Sequence, residues 1–472
     1  MSLYCWLALV ALVPMTLSTE PGVKVRITAK GLEYGRQVGM AALQEKLKAI
    51  RIPDFSGKQR VSRIGKVRYS LTNLIIKSVG LPTSSVNLVA GTGVKMSITG
   101  AFISVRGNWR VKYLFIRDSG SFDLDVRDLS ISATIAIGRD ATGHPMVSGA
   151  NCAANVGSAR VKFHGGASWL YNLFSKYINR ALRKAMEKQI CPLVTKAISD
   201  MNPRLQTLNV LAKVDKHAEI EYSMVSPPTI STSAIDLNLK GEFYNIGNHK
   251  EPPFSPKAIS LPPQVNKMVY ISLSAFTANS AGFVYNRAGI LSEDITDDMI
   301  PRLSPIRLNT KTFGVFIPEI ARRFPGLMMK LVVKTAKDPI ASFEPNSMTV
   351  NATGTVTAYA IQPNGALTSL FVLNLETSVS ARVFLTGMRL GGAVTLNKFD
   401  LTLGASSVGQ FRVKSLDSIF EMVLNLVVIP VLNVQLAKGY PLPALKNMNL
   451  LNTQLQILKD NILIGTDVHF TG

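Results

Sequence analysis

Between residues 122 and 137 the apolar positions recur at every second residue. Phe122, Leu124 and Val126 share one face, and Leu129, Ile131, Ala133, Ile135 and Ile137 continue it after a one-residue slip at Arg127 and Asp128. Period two is the mark of a strand with one buried face, and a β-bulge produces such a slip. Residues 349–361 and 393–403 alternate in the same way. Elsewhere the period lengthens, and segments 31–50, 168–199, 273–288 and 415–438 read as helices. Short alternating strands joined by turns predict antiparallel sheets or barrels. Long helices beside them make the fold class α+β.

The order of these elements suggests two similar halves. Residues 251–263 (EPPFSPKAISLPP) hold five prolines. Proline lacks a backbone N–H and favours extended chain, so this stretch predicts a semi-rigid linker. On each side of it a helical pattern opens the half, alternating segments follow, and a long apolar helix lies near the end. No residue-level repeat accompanies the likeness, which rests on pattern alone. The expected organisation is a signal segment at 1–18, a first barrel at 19–243, a linker at 244–265 and a second barrel at 266–472.

Residues 101–117 (AFISVRGNWRVKYLFIR) read as a basic hairpin. Gly107-Asn108 is a turn signal between two strand-like runs. A loop at 107–109 pairs Arg106 with Arg110, Ser104 with Lys112 and Val105 with Val111. That register separates a basic face from an apolar one and is preferred for that reason. It gathers Arg106, Arg110 and Lys112 and puts Trp109 at an exposed tip. Like charges across a strand pair cost up to about 1 kcal/mol. The cost suggests a use, with cations for phosphates and an indole for a membrane interface. A solvated edge guarded by charge against aggregation explains the same pattern without a ligand.

Both first-half helices are basic. In 31–50, Leu32, Leu43, Leu47 and Ile50 form a stripe beside Arg36, Lys46, Lys48 and Arg51. In 168–199, Lys176, Arg180, Lys184 and Lys188 recur four residues apart along one ridge. Such a ridge fits either a solvated face or a membrane-contacting helix. Leu32, Leu43, Leu47, Trp169 and Leu173 are the candidates for lining a lipid pocket.

Charge sharpens this picture. The chain has 472 residues, with 52 Lys and Arg against 30 Asp and Glu, a net charge of +22. Of that, +17 falls in residues 1–250, and residues 55–117 hold eleven Lys or Arg and no acid. A surface this basic seeks anions. No uninterrupted apolar run reaches the roughly 18 residues of a membrane-spanning helix, so an integral membrane protein is not expected. Residues 1–17 (MSLYCWLALVALVPMTL), followed by Ser18, read as a secretory signal peptide, though without a basic leading region. Its removal takes Cys5 and leaves Cys152 and Cys191, an even pair in an oxidising compartment, which predicts one disulfide. Asn351-Ala-Thr353 is the one usable N-glycosylation sequon. The sequence contains no GxSxG, HExxH, P-loop or GxGxxG, and its five histidines are scattered without metal-ligand spacing. No catalysis, metal or cofactor is therefore expected.

At this point the residues match a family. The chain resembles, nearly end to end, the family of bactericidal permeability-increasing and lipopolysaccharide-binding proteins, within the wider group of lipid-transfer proteins. The matching stretches are PGVKVRITAKGLEYG at 21–35, AALQEKLKAIRIPDFS at 41–56, GEFYN at 241–245, DDMIP at 297–301, FGVFIPEIARRFPG at 313–326 and GYPLP at 439–443. The spacing of Cys152 and Cys191 looks like the family's single disulfide. The resemblance implies a boomerang of two pseudo-symmetric barrels, each a twisted antiparallel sheet wrapped around helices, joined by a central sheet. It implies apolar pockets that hold phospholipid as ligand, and a basic first half that binds the lipid A part of lipopolysaccharide. The basic segments that match are 36–66, 106–117 and 160–188. The candidate lipopolysaccharide contacts are then Arg36, Lys46, Lys48, Arg51, Lys58, Arg60, Arg63 and Lys66, together with Arg106, Trp109, Arg110, Lys112 and Arg117. Arg160, Lys162, Lys176, Arg180, Lys184 and Lys188 are candidate membrane contacts.

The implied protein is secreted and monomeric. Its implied partners are lipopolysaccharide, phospholipid and the bacterial outer-membrane surface, with no specific nucleic acid. Its implied role is antibacterial or endotoxin-neutralising. Lipid transfer between lipoproteins, or delivery of lipopolysaccharide to host receptors, are the alternatives on the same fold. A secreted phospholipase is disfavoured by the missing nucleophile motif.

Overall fold

The computed structural model of the chain describes residues 20–49, 54–61, 65–168, 172, 175–263, 266–445 and 447–471. The expected signal segment lies outside them. The chain enters through β1 (Val23–Thr28), which runs straight into α1 (Ala29–Ala49). Six strands follow: β2 (Phe55–Val61), β3 (Gly65–Gly80), β4 (Thr83–Val89), β5 (Gly93–Tyr113), β6 (Ile116–Arg139) and β7 (Pro145–His164). They form one antiparallel sheet in the order β2-β3-β5-β6-β7, with β4 on β5. α2 (Ser175–Ser199) comes next.

The alternation read from the sequence is the burial pattern of this sheet. Phe122, Leu124, Val126 and Leu129 are all buried and pack with Trp109, Val156, Val161 and Phe163. The slip is real: pairing passes from Arg127 opposite Ser158 to Leu129 opposite Val156, and the intervening Asp128 has φ 56°.

The middle of the chain holds β8 (Leu211–Lys213), β9 (Ala218–Glu221), β10 (Thr229–Ile230), β11 (Ala234–Leu239) and β12 (Glu242–Asn245). The proline-rich stretch 251–263 carries neither helix nor strand. It lies along β1, where the Lys24 ammonium donates to the Ile259 carbonyl at 2.9 Å and Arg26 donates to that of Pro262 at 3.3 Å.

The second half repeats the first. β13 (Val269–Ser274) runs into α3 (Ala275–Arg287) as β1 runs into α1. β14 (Ser292–Thr296), β15 (Met328–Thr335), β16 (Ile340–Glu344), β17 (Ser347–Ile361), β18 (Leu367–Thr386) and β19 (Arg389–Ser406) then build the second long sheet. A helical stretch, Val413–Ala437, follows. β20 (Tyr440–Pro441) closes the edge on β19, and β21 (Met448–Leu458) and β22 (Asn461–Phe470) end the chain. A six-stranded sheet in the order β10-β11-β1-β13-β22-β21 takes strands from both halves and joins them. The class is α+β, as expected.

One helix is more apolar than a count of uninterrupted runs conveys. Val413–Ala437 is 25 residues long, and its most apolar 18-residue window has a mean hydropathy of 1.9, which by length and composition is enough to cross a membrane. Counting only uninterrupted runs missed it, because Asn425, Pro430 and Asn433 break the run without breaking the helix. Its first part belongs to the core through Leu416, Ile419, Phe420, Val423 and Val427. Its second part does not, and Val434 is 63% exposed.

Candidate functional site

The first-half sheet has a near end and a far end. The β4–β5 turn meets the central sheet, where the Gly91 N–H donates to the Ile230 carbonyl at 3.0 Å. The β6–β7 end is held by Arg139, which donates to the Met224 carbonyl at 2.7 Å. β5 then runs 21 residues away to Tyr113.

The far end is a lattice of cations. Lys58 of β2 stands opposite Arg68 of β3, Arg68 opposite Lys112 of β5, and Lys112 opposite Arg117 of β6. Beside this row Arg60 pairs with Lys66, and Arg110 lies between Ser70 and Ser119. All seven cations are exposed. The nearest acid past the turn, Asp118, accepts the backbone N–H groups of Ser119 at 2.9 Å and Ala167 at 2.8 Å.

The turn itself is apolar. Tyr113 pairs with Ile116, leaving Leu114 and Phe115 as a two-residue loop. Phe115 is 100% exposed and Leu114 70%. Leu114 has φ 50°, a conformation that glycine normally supplies at this position of a tight hairpin.

This geometry corrects the expected hairpin. Residues 107–109 are not a turn but the interior of β5. Gly107 is there because its face meets the Phe122 ring, where an added Cβ would sit 2.6 Å from a ring carbon. Trp109 is not an exposed tip: it is 2% exposed, edge-on to Phe163 at 5.7 Å, with its indole N–H donating to the His164 carbonyl at 3.2 Å. Arg106, Arg110 and Lys112 do share a face, but along one strand rather than across a turn.

The remaining candidates divide. Arg106 donates to Asp123 at 2.9 Å, and His164 contacts the other oxygen of Asp123 at 2.9 Å. These contacts, that of Arg106 above all, hold the Asp123 carboxyl below the usual carboxylate range. Lys162 lies opposite Asp123 and Arg160 opposite Asp125, so acids intersperse there. Arg36 belongs elsewhere, tied to Glu33 at 2.8 Å and to Ser84 of β4 rather than to the cationic end. Lys48 is exposed and pairs with Glu45 at 2.7 Å. Lys176, Arg180, Lys184 and Lys188 form an exposed ridge on α2. Arg51, Arg63, Trp169 and Leu173 lie outside the described residues, as do the side chains of Lys46 and Leu47. Sequence reasoning missed Arg68, Leu114 and Phe115. Arg68 becomes visible only through the β3–β5 register.

The helices cover their sheets loosely. Among the described residues α1 buries only Met40 among its apolar side chains, and α2 only Leu182 and Ile198. Leu32 and Leu43 are half-buried, facing the sheet's apolar side. In the second half Leu426, Val431, Val434 and Leu436 are exposed. These elements leave apolar side chains partly open among the described residues. Cys152 of β7 and Cys191 of α2 form a disulfide, as expected. Asn351 is exposed on β17.

Two family models match the chain: the N-terminal domain of the LBP / BPI / CETP family over residues 31–201 and its C-terminal domain over 212–470. The chain is 72% identical over 473 residues to a bactericidal permeability-increasing protein of Sebastes schlegelii, covering 100% of both. It is 36% identical over 459 residues to the human lipopolysaccharide-binding protein, covering 97% of this chain and 95% of that one. A crystal structure of lipopolysaccharide binding protein superposes with a TM-score of 0.63 at 34% identity, covering 96% of this chain and 100% of the other.

Proposed function

The chain belongs to the LBP / BPI / CETP family, and on that premise we propose that it is a secreted innate-immunity protein that binds lipopolysaccharide at the far end of its first sheet. It works as a binder and not as an enzyme. The observation that carries the reading is the row of Lys58, Arg68, Lys112 and Arg117, which ends on the exposed Phe115.

The mechanism follows from that arrangement. Each Lys or Arg near an anionic membrane contributes about 1 kcal/mol and is screened by salt. Seven exposed cations hold the far end against the phosphates of lipid A, in place of the divalent ions that bridge neighbouring molecules. Phe115 and Leu114 then enter the boundary between headgroups and acyl chains. Burying a side chain of that size is worth about 1.5–3 kcal/mol. Acyl chains drawn from the surface gain about 0.8 kcal/mol per buried CH₂. The open faces of α1 and α2, and of the stretch Val413–Ala437 in the other half, are where phospholipid chains would lie. The outcome is killing or neutralisation of Gram-negative bacteria; delivery to host receptors uses the same capture step.

The test is binding of the purified protein to vesicles with and without lipopolysaccharide across a salt series, beside phosphatidylcholine vesicles. The reading requires tight, salt-sensitive binding that depends on lipopolysaccharide. Equal, salt-insensitive binding to phosphatidylcholine would make the protein a lipid carrier instead.

A further inference from the structure

A cavity of about 420 Å³ opens where the two halves meet, well away from the cationic sheet end. Three segments distant in sequence build it. Lys216 and His217 come from the β8–β9 loop, Asn248 and Lys250 from the turn after β12, and Phe283 and Arg287 from the end of α3.

Its walls are fixed. The Ile246 N–H donates to the His217 carbonyl at 3.0 Å, and the Asn245 side-chain amide donates to the Val284 carbonyl at 3.1 Å. The turn between them needs Gly247, at φ 79°. Phe283 is 2% exposed and forms an apolar floor, with the Arg287 guanidinium 5.3 Å from its ring centre.

Its charge is one-sided. No carboxylate lines the cavity. The neighbouring Asp215 is already engaged, accepting the N–H groups of His217 at 2.7 Å and Ala218 at 2.9 Å and the Tyr285 hydroxyl at 2.7 Å. Lys240, between β11 and β12, shows the contrast: Glu221, Glu242 and Glu251 surround it at 3.5, 3.7 and 3.1 Å. Among the described residues Lys216, Lys250 and Arg287 have no such partners. Three cations without a carboxylate partner around one fixed concavity focus a positive potential on it.

We propose that this cavity binds a saccharide carrying phosphate or sulfate. The volume falls within the range of small-molecule sites and exceeds what a lone inorganic anion fills. The cations suit the anionic group, with Arg287 able to take two of its oxygens at once. Asn245, Asn248 and His217 offer donors and acceptors for hydroxyls. Either a sulfated surface glycan or a phosphorylated bacterial core sugar has this chemistry.

Calorimetric titration of the full chain with glucosamine 6-phosphate, a sulfated heparin disaccharide, inorganic phosphate and neutral glucosamine tests it. A charged sugar binds at least tenfold more tightly than glucosamine or inorganic phosphate, and the better of the two charged sugars identifies the source. The Lys250→Gln, Arg287→Gln double variant loses at least tenfold for that sugar, and Lys216→Gln loses less. Equal binding of glucosamine, equal binding of inorganic phosphate, or an unaffected double variant overturns the assignment.

Discussion

Lys112 stands directly opposite Arg68 across the β3–β5 pair, and both are exposed. Cross-strand neighbours of like charge destabilise a sheet by about 0.2–1 kcal/mol. Lys112 also faces Arg117, and Arg68 also faces Lys58, so each is repelled from both sides. Replacing Lys112 by Gln should therefore raise stability by a few tenths to about 1 kcal/mol at low salt, and the gain should fade at high salt. The same change should weaken lipopolysaccharide binding and flatten its salt dependence. Denaturant midpoints at two ionic strengths and a vesicle titration check both arms. A variant that is less stable, or binds as before, would show that these cations are not held ready for a ligand.

Phe115 makes the complementary prediction. It is fully exposed, so Phe115→Ser removes nothing from the folded core. Unfolding midpoints should not move. Partition onto lipopolysaccharide vesicles should fall by about tenfold to a hundredfold, the equivalent of about 1.5–3 kcal/mol of buried side chain. Fluorescence quenching by lipid-embedded probes checks whether the turn enters the membrane.

Trp109 should behave in the opposite way. Its ring is buried against Phe163. Trp109→Ala should cost about 3–5 kcal/mol of stability, with any loss of binding following the loss of fold. A Trp109→Phe variant, which retains most of the packing, should bind lipopolysaccharide normally.

These two aromatics mark the limit of what could be read in advance. The long helices and the buried face of β6 were legible because their periods are sustained over many residues. Asp128 even betrayed its bulge as a phase slip. The turn was not legible. Gly107-Asn108 carries a strong local turn signal, but Gly107 is demanded by the Phe122 ring on the neighbouring strand, a contact between residues 15 apart. Trp109 is drawn inward by the His164 carbonyl, 55 residues away. Conversely, Leu114 takes a left-handed conformation that its residue type disfavours, so nothing local announced the true turn. The basic character of the site survived because alternation puts Arg106, Arg110 and Lys112 on one face in either register. Arg36 was misplaced because position along α1, not charge, decides which end of the sheet a side chain reaches.

Acid should reveal the role of Asp123. Its carboxyl titrates below the normal range because Arg106, and secondarily His164, stabilise the charged form. A group depressed in the folded state adds stability that is present above its unfolded pKa and is lost as pH falls through the folded value. Wild-type stability should therefore decline below about pH 4 more steeply than that of Asp123→Asn. The difference should be small, because the pair is partly exposed and solvent screens it. Denaturant midpoints between pH 2 and 6 give the two slopes, and parallel slopes would mean the contact contributes nothing.

The disulfide should matter more to α2 than to the sheet. Cys152 lies on β7 and Cys191 on α2, 39 residues apart, with Cα atoms 5.6 Å from each other. Closing a loop of that length is worth about 3–4 kcal/mol in the chain-entropy account. Among the described residues α2 fully buries only Leu182 and Ile198 of its apolar side chains, so the bond adds to the Glu187 and Asn179 contacts that hold it on β7, while β5, β6 and β7 hold one another by long ladders. Cys152→Ala with Cys191→Ala should lower overall stability by about 3–4 kcal/mol. Local opening should show first in α2. Hydrogen exchange read on peptides from 175–199 should accelerate well before exchange on 93–113. The ridge of Lys176, Arg180, Lys184 and Lys188 rides on that helix, so any membrane contact it makes should weaken in the same variant. Equal acceleration in both peptides would place α2 and the sheet in one cooperative unit and remove the disulfide as its particular anchor.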